Sequence, residues 1–318
     1  FVYGLLGLLD ADGEWHLQTN AVAPHALHLR IAGGADPAER AVEMKRRNWC
    51  VDINNRNHIA VRGIRTRGGA IRLAGKGNVL EGVEVSHPSH YMTFANGGSG
   101  NGGRAEGGGV VVSGTSNIVR HCIIHDTAGA GILTLGAGHR IERNHVYNTD
   151  YSGTYGAPLS MDGDGDVALF NTLHDTGRDV LRPTGSGQTV MFNDLYGGGK
   201  LCLDLGMVYS YGTDGIGPGA AKSRIAYNWV HDGNPADPHS KGIYLDNYDR
   251  SYLVDHNVVW NLASGQDGIR LNAPNLGHEI HHNTVIQCKA YDAGTWTAFP
   301  DSNPDPARRF HGLALRSG

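Results

Sequence analysis

Apolar and polar residues alternate in short segments along almost the whole chain, and the segments recur. Six of them end on an asparagine: IERN at Asn144, ALFN at Asn171, VMFN at Asn193, IAYN at Asn228, VDHN at Asn257 and IHHN at Asn283. Each is followed by two or three apolar or aromatic positions (HVYN, TLHD, DLYG, WVHD, VVWN, TVIQ), usually with a second Asn or Asp. Alternation of period two over so few residues predicts strands rather than helices. The asparagines stand 27, 22, 35, 29 and 26 residues apart. A period mostly in the twenties, with variable insertions, is that of a solenoid. The phase extends back to IVRH at His121 and VLEG at Gly82. Strands stacked coil upon coil predict an all-β, single-stranded parallel β-helix. The asparagines then form a ladder of side-chain amides bonded to corner backbone.

Residues 1–48 do not share the repeat. GEWHL and ALHLRI read as short strands, followed by a turn around Gly33–Pro37 and a further strand. This predicts a small N-terminal β cap over residues 1–50 and solenoid coils over 51–318, opened by HIAVRGI and GAIRLAG. Edge-loop insertions are expected at 89–109, 148–156, 207–222, 233–241 and 290–310, where a rigid scaffold usually carries its binding groups. The last residues, HGLALRSG, read as one more coil strand.

Composition narrows the function classes. Glycine, 47 of 318 residues, is well above the usual ~7% and is spread between strands, as corners with positive φ require. A net charge of −4 gives no reason to expect nucleic acid or an anionic membrane as partner. The cysteines Cys50, Cys122, Cys202 and Cys288 lack zinc spacing. Cys122 and Cys202 fall on expected strands, as buried thiols. No apolar run approaches the ~20 residues of a membrane helix, and FVYGLLGLL lacks the basic leader of a signal peptide.

A second strand in each coil carries the candidate chemistry. APLSMDG (157–163), KLCLDLG (200–206), GIYLDNY (242–248), GIRLNAP (268–274) and GLALRSG (312–318) align on alternating apolar residues. Leu159, Met161, Leu201, Leu203, Ile243, Leu245, Ile269, Leu271, Leu313 and Leu315 then face inward. Asp162, Asp204, Asp246, Asn272 and Arg316 form one outward row; Ser160, Cys202, Tyr244, Arg270 and Ala314 form another. GRDVLRPTG (177–185) fits poorly and leaves open which of Asp179, Arg182 and Thr184 faces out. Asp204 and Asp246 on neighbouring coils, ~4.8 Å apart, put their carboxylates about 5 to 7 Å apart, the range of the acid pairs that hydrolyse glycosides. Two carboxylates so close do not both ionise freely, which leaves one as proton donor and the other as base or nucleophile. Arg270 is a charge partner or a substrate clamp. The alternatives for the row are a calcium site or a solvated surface. MDGDGDV (161–167) lacks the later Glu of a calcium loop, so a Gly- and Asp-rich turn is the plainer reading.

Three I/V/L-His-Asp segments (His125, His174, His231) recur in phase and read as corners, with His231 placed to approach the Asp246 strand. Tyr209, Tyr211, Tyr244, Tyr248, Trp229 and Trp260 crowd the same coils, and exposed aromatics are platforms for sugar rings.

GEWHL…LHLRIAGGADP…VEMKRR…HIAVRGI and YNWVHD…KGIYLDNY…VDHNVVWN resemble right-handed parallel β-helix carbohydrate-active proteins, the pectate-lyase-like solenoids. They are most similar to the glycoside-hydrolase group with α-L-fucosidase and xylanase members. The resemblance covers nearly the whole chain. It implies a right-handed solenoid, a poly- or oligosaccharide substrate, a secreted or periplasmic setting, and two aspartates from neighbouring coils, here LDLG at Asp204 and YLDN at Asp246. In the hydrolase reading Asp204 and Asp246 are catalytic, and Arg270, Tyr244, His231, Asp162, Lys241 and Tyr209 bind substrate without a metal. The runner-up is a lyase on uronic-acid polymers. Lys241 or Arg270 would then act as base, with calcium held by Asp162, Asp204 and Asp246. A non-catalytic glycan-binding solenoid is the third.

Overall fold

The computed structural model describes residues 5–22, 24–45, 47–89, 108–213, 221–234, 240–262, 266–273, 275, 277–294 and 314–316. The chain divides into two compact units, Phe1–Lys45 and Arg46–Gly318. In the first, Trp15–Gln18 pairs antiparallel with Ala26–Leu29. Single 3-10 turns follow at Ala32–Gly34 and Pro37–Glu39, the latter capped by the Asp36 carboxylate on Ala38 N–H. The further strand expected here is not formed over 41–45.

The second unit is a right-handed parallel β-helix. Its strands fall into three parallel sheets of ten, ten and nine strands among the described residues, and hydrogen-bonded neighbours in each sheet are every third strand of the chain. The first sheet runs from Trp49–Ile53 to Lys289–Gly294 and the second from Ala60–Arg62 to Ala314–Arg316. The third runs from Arg65–Arg67 to Thr284–Ile286. Strands of the second and third sheets point a central residue inward to meet its equivalent on the next coil. Leu80, Val119, Ile141, Ala168, Val190, Ile225, Val254 and Ile280 form one such column, and Val85, Ile124, Val146, Leu173, Leu195, Val230 and Val259 another. Full burial of such side chains stabilises by about 1.5–3 kcal/mol each, which is why strands of three residues suffice.

The corner between the second and third sheets is a single left-handed residue. Gly63, Gly82, His121, Arg143, Phe170, Phe192, Tyr227, His256 and His282 hold φ between 54° and 61° there. Glycine serves only the first two coils. From Phe170 onward the rings stack face to face, with centroids 5.1, 5.2, 4.8 and 5.2 Å apart down to His282. This stacking offsets the cost of ~1–2 kcal/mol per left-handed residue.

The asparagine column follows this corner. Asn144 N–H donates to Asn171 Oδ1 (3.0 Å), Asn171 to Asn193 (2.9 Å), Asn193 to Asn228 (3.0 Å), Asn228 to Asn257 (3.0 Å) and Asn257 to Asn283 (2.9 Å). The expected ladder is therefore present, but its backward phase shifts by one. Register pairs Arg120 with Glu142 and Glu81, which puts His121 and Gly82 at the left-handed position. Cys122 and Val83 occupy the asparagine place. The Cys122 thiol keeps half of the amide's role, donating to Arg120 and Leu80 carbonyls at 3.2 and 3.7 Å. Burial pushes it up to about 11. Neither Cys122 nor Cys202 lies in a strand.

The corner between the first and second sheets approaches backbone to backbone. A Cβ on Gly114 would lie 2.2 Å from the Gly75 carbonyl oxygen, and one on Gly136 2.2 Å from that of Gly114.

Candidate active site

The outward face of the first sheet carries the candidate site, and its register corrects the sequence alignment. Leu181 pairs with Val208, Val208 with Ile243 and Ile243 with Ile269. The strand of the third coil in this series is thus Gly206–Ser210 and not KLCLDLG. Leu201 and Leu203 are 46% and 59% exposed rather than inward. Both segments alternate; only Gly206–Ser210 finds ladder partners on each side. The outward row is Ser160, Arg182, Tyr209, Tyr244 and Arg270. The row two residues further on is Asp162, Thr184, Tyr211, Asp246 and Asn272. Ala314–Arg316 pairs with Glu279–His281 in the second sheet, so it does not continue either row. Of the insertion expected at 207–222, residues 207–210 belong instead to the strand Gly206–Ser210; 90–107, 214–220, 235–239 and 295–310 lie outside the described residues.

Asp246 is the focus of the face. Its Oδ1 accepts from Tyr244 Oη (3.2 Å), Asn247 N–H (2.8 Å) and Asn272 Nδ2 (2.8 Å), and its Oδ2 accepts from Tyr209 Oη (2.9 Å). Tyr209 and Tyr244 meet edge to face at 5.4 Å. Burial and the Asp246 charge push both phenols far up, so both remain donors. Alternation on Lys241–Leu245 puts Ile243 and Leu245 in the core, which is why Tyr244 and Asp246 face out together.

Asp204 is not in register with Asp246. It precedes its strand in a left-handed conformation (φ 59°), with its side chain 61% exposed. Its Oδ1 accepts from Lys241 Nζ at 3.1 Å. The ammonium also lies 4.7 Å from the Tyr244 ring centroid. Lys241 and Tyr244 thus link Asp204 to Asp246 through cation and phenol, rather than by the direct juxtaposition the alignment implied.

Two residues the sequence reading left open, Asp179 and Arg182, and two it did not consider, Tyr155 and Arg178, build the adjoining wall. Asp179 is fully buried, accepts from Gly206 N–H at 3.3 Å, and lies 3.6 Å from Arg182 Nε. Burial pushes its carboxyl up, opposed by Arg178 and Arg182. Arg178 lies over the Tyr155 ring at 3.9 Å and donates to the Asp204 carbonyl at 2.9 Å. Arg182 donates to the Tyr155 carbonyl at 2.5 Å. Accepting Pro183 as an inward residue would have placed Arg182 and Thr184 outward from the sequence. Nearby Asp150 is buried, its carboxyl pushed up to about 7 by burial against the Thr154 hydrogen bonds.

The remaining expected site residues are placed elsewhere or otherwise engaged. Arg270 shares the Tyr244 row, with Nη1 3.3 Å from Asp267 Oδ2. Asp162 accepts from Thr184 Oγ1 at 2.5 Å and stands three coils from Asp246, about 14 Å at the spacing of neighbouring strands. Within the same turn Asp164 accepts from Ser186 N–H and Asp166 from His139 N–H. These carboxylates cap the backbone of other coils. Asp162, Asp204 and Asp246 do not converge on one ion, and among the described residues no group of three or more His, Cys, Asp and Glu is arranged to hold a metal.

His231 belongs to the third sheet. It is stacked between Tyr196 (4.9 Å) and Trp260 (4.2 Å), with ring nitrogens 2.8 Å from Asp194 and Asp232 oxygens. It belongs to a column of faces that runs from His125 through Tyr147, His174 and Tyr196 to Trp260. Rings stacked this way cover one another and are not sugar platforms.

No family model and no curated protein matches this sequence. A solved structure described as "Glycoside hydrolase" has a TM-score of 0.51 at 15% identity, over 69% of this chain. The chain spans 38% of that protein's length. DFA-IIIase from Arthrobacter chlorophenolicus A6, solved without its lid in complex with GF2, is 12% identical over 79% of this chain and 70% of its own, with a TM-score of 0.43. The first likeness shows the fold, a parallel β-helix.

Proposed function

We propose that this chain is a carbohydrate-active enzyme, a glycoside hydrolase acting on poly- or oligosaccharide, with Asp246 as its central carboxylate. One observation carries the reading. A single carboxylate on the outward face of a rigid sheet gathers four donors, with Lys241 on its own strand and Arg270 on the adjoining row. Structural carboxylates of this solenoid, such as Asp164 and Asp166, accept from backbone N–H groups of other coils. Asp246 is instead held by two phenols, each able to accept as well as donate. Such a frame keeps the carboxylate oriented for attack on an anomeric carbon or for activating a water. Asp204, exposed and paired with Lys241, is the second acid in this reading. Lys241 and Tyr244 stand between the two, which favours the wider, inverting separation with room for water.

Asp246→Asn tests the proposal. Asn keeps the shape, and Tyr209 can accept from the new amide, so the fold should persist while the carboxylate's chemistry is lost. Reducing ends released from a panel of polysaccharides should fall at least ~10²-fold. An unsaturated, ultraviolet-absorbing product from wild type would move the assignment to the lyase. Full activity in Asp246→Asn would remove it from the mechanism.

A further inference from the structure

Outside the two buried tyrosines that donate to Asp246 stands a second pair. Tyr211 follows the strand Gly206–Ser210 and precedes Asp246 on the outward row by one coil. Asp246 N–H donates to the Ser210 carbonyl (2.9 Å) and Gly212 N–H to the Asn247 carbonyl (3.0 Å), so backbone pairing on both sides holds Tyr211 beside Asp246. Tyr248, two residues beyond Asp246, holds φ at +68°, a conformation that a bulky side chain adopts only under strain. The rings meet edge to face, 6.3 Å apart at 86°.

Exposure separates the two pairs. Tyr209 and Tyr244 are buried, whereas Tyr211 is 51% and Tyr248 36% exposed. The long ring columns at the corner between the second and third sheets and on the third sheet lie face to face and hide their faces. A perpendicular pair leaves ring face open to solvent. Open aromatic face one coil from the Asp246 carboxylate suits a ligand that is apolar on one side and hydroxylated at its rim. A sugar ring has that chemistry.

We propose that Tyr211 and Tyr248 form an aromatic subsite that seats the sugar ring next to the unit attacked at Asp246. This rests on the glycoside-hydrolase reading and adds to it a specificity-determining pair. The subsite selects for a chain at least one unit longer than the bond broken requires.

Calorimetric titration with xylo-, fructo- and galacturono-oligosaccharides of two to six units tests it, on Asp246→Asn so that no sugar is consumed. Tyr211→Ala or Tyr248→Ala is then added to that parent. Trp229→Ala, which removes an exposed indole on the third sheet, serves as comparator. Each tyrosine variant should weaken binding of the longer oligosaccharides about five- to tenfold, with no change for Trp229→Ala. With Asp246 restored, KM should rise by the same factor and kcat hold within about twofold. Tyr211→Phe keeps the ring face and should bind like the parent; a loss as large as in Tyr211→Ala would assign the effect to the hydroxyl and overturn the stacking. Tyrosine variants that bind and turn over like their parents overturn the subsite and leave the hydrolase intact. A parent that binds none of the sugars, with a wild type that cleaves none, overturns both.

Discussion

Replacing Asn171 by alanine probes what holds the coils in register. The side chain makes four hydrogen bonds in a fully enclosed place. Nδ2 donates to the Ile141 carbonyl (2.9 Å) and to Asn193 Oδ1 (2.9 Å), and Oδ1 accepts from Asn144 N–H and Nδ2 (both 3.0 Å). Two of the partners keep another bond after the change: Asn144 Nδ2 still reaches the Val119 carbonyl, and Asn193 Oδ1 still accepts from Asn171 N–H. Asn144 N–H is left without a partner, whereas the Ile141 carbonyl loses one of two and keeps the ladder bond from Leu169 N–H. A buried group left without a partner costs about 1–3 kcal/mol, which sets the expected loss. A water entering the space left by the amide would bring the loss toward the lower end. Even about 1 kcal/mol is a measurable part of the ~5–15 kcal/mol that holds a typical domain folded. Denaturant titration measures the loss, and hydrogen exchange at the Asn144 amide localises it. Asn283→Ala, at a half-buried site, is expected to lose less. An unchanged midpoint with full protection of the Asn144 amide would refute the reasoning, because the column would then be decoration on coils held by apolar stacking alone.

Gly114→Ala should destabilise the unit by several kcal/mol, about 3 or more, because a Cβ would sit 2.2 Å from the Gly75 oxygen at φ +89°; a melting temperature equal to wild type counts against the close-packed corner. Asp150 gives a pH dependence with a definite sign. Its folded carboxyl is raised to about 7 from an unfolded value near 4, so the folded state binds the extra proton between those limits, and its contribution to stability falls as pH rises from about 4 to about 7. Asp150→Asn should flatten that decline; melting temperatures recorded from pH 4 to 8 would disprove it by showing parallel curves for the two proteins.

The repeat determined the architecture from sequence alone. Residues such as Val254 and Asn257 recur at one phase, and a short strand that buries one or two side chains is stable only when its equivalent stacks on it. Local alternation also placed Tyr244, Asp246, Arg270 and Asn272 outward, because Ile243, Leu245, Ile269 and Leu271 leave no other face to the core. Tertiary structure decided what alternation leaves degenerate. KLCLDLG and GMVYSYG both alternate within one coil, and only pairing with Lys241–Leu245 on one side and Leu181–Pro183 on the other selects the second. That choice exposes Leu201 and Leu203 and moves Asp204 off the sheet. It brings Tyr209 to Asp246 and sets Tyr211 beside it. His231 shows the same limit, since its pattern is that of a corner wherever it lies, and the sheet it joins follows from coil stacking. The wall of Tyr155, Arg178, Asp179 and Arg182 has no local signature either. Hydrogen-bond register is a non-local property, set by partners twenty to forty residues away, and the site is assembled by that register.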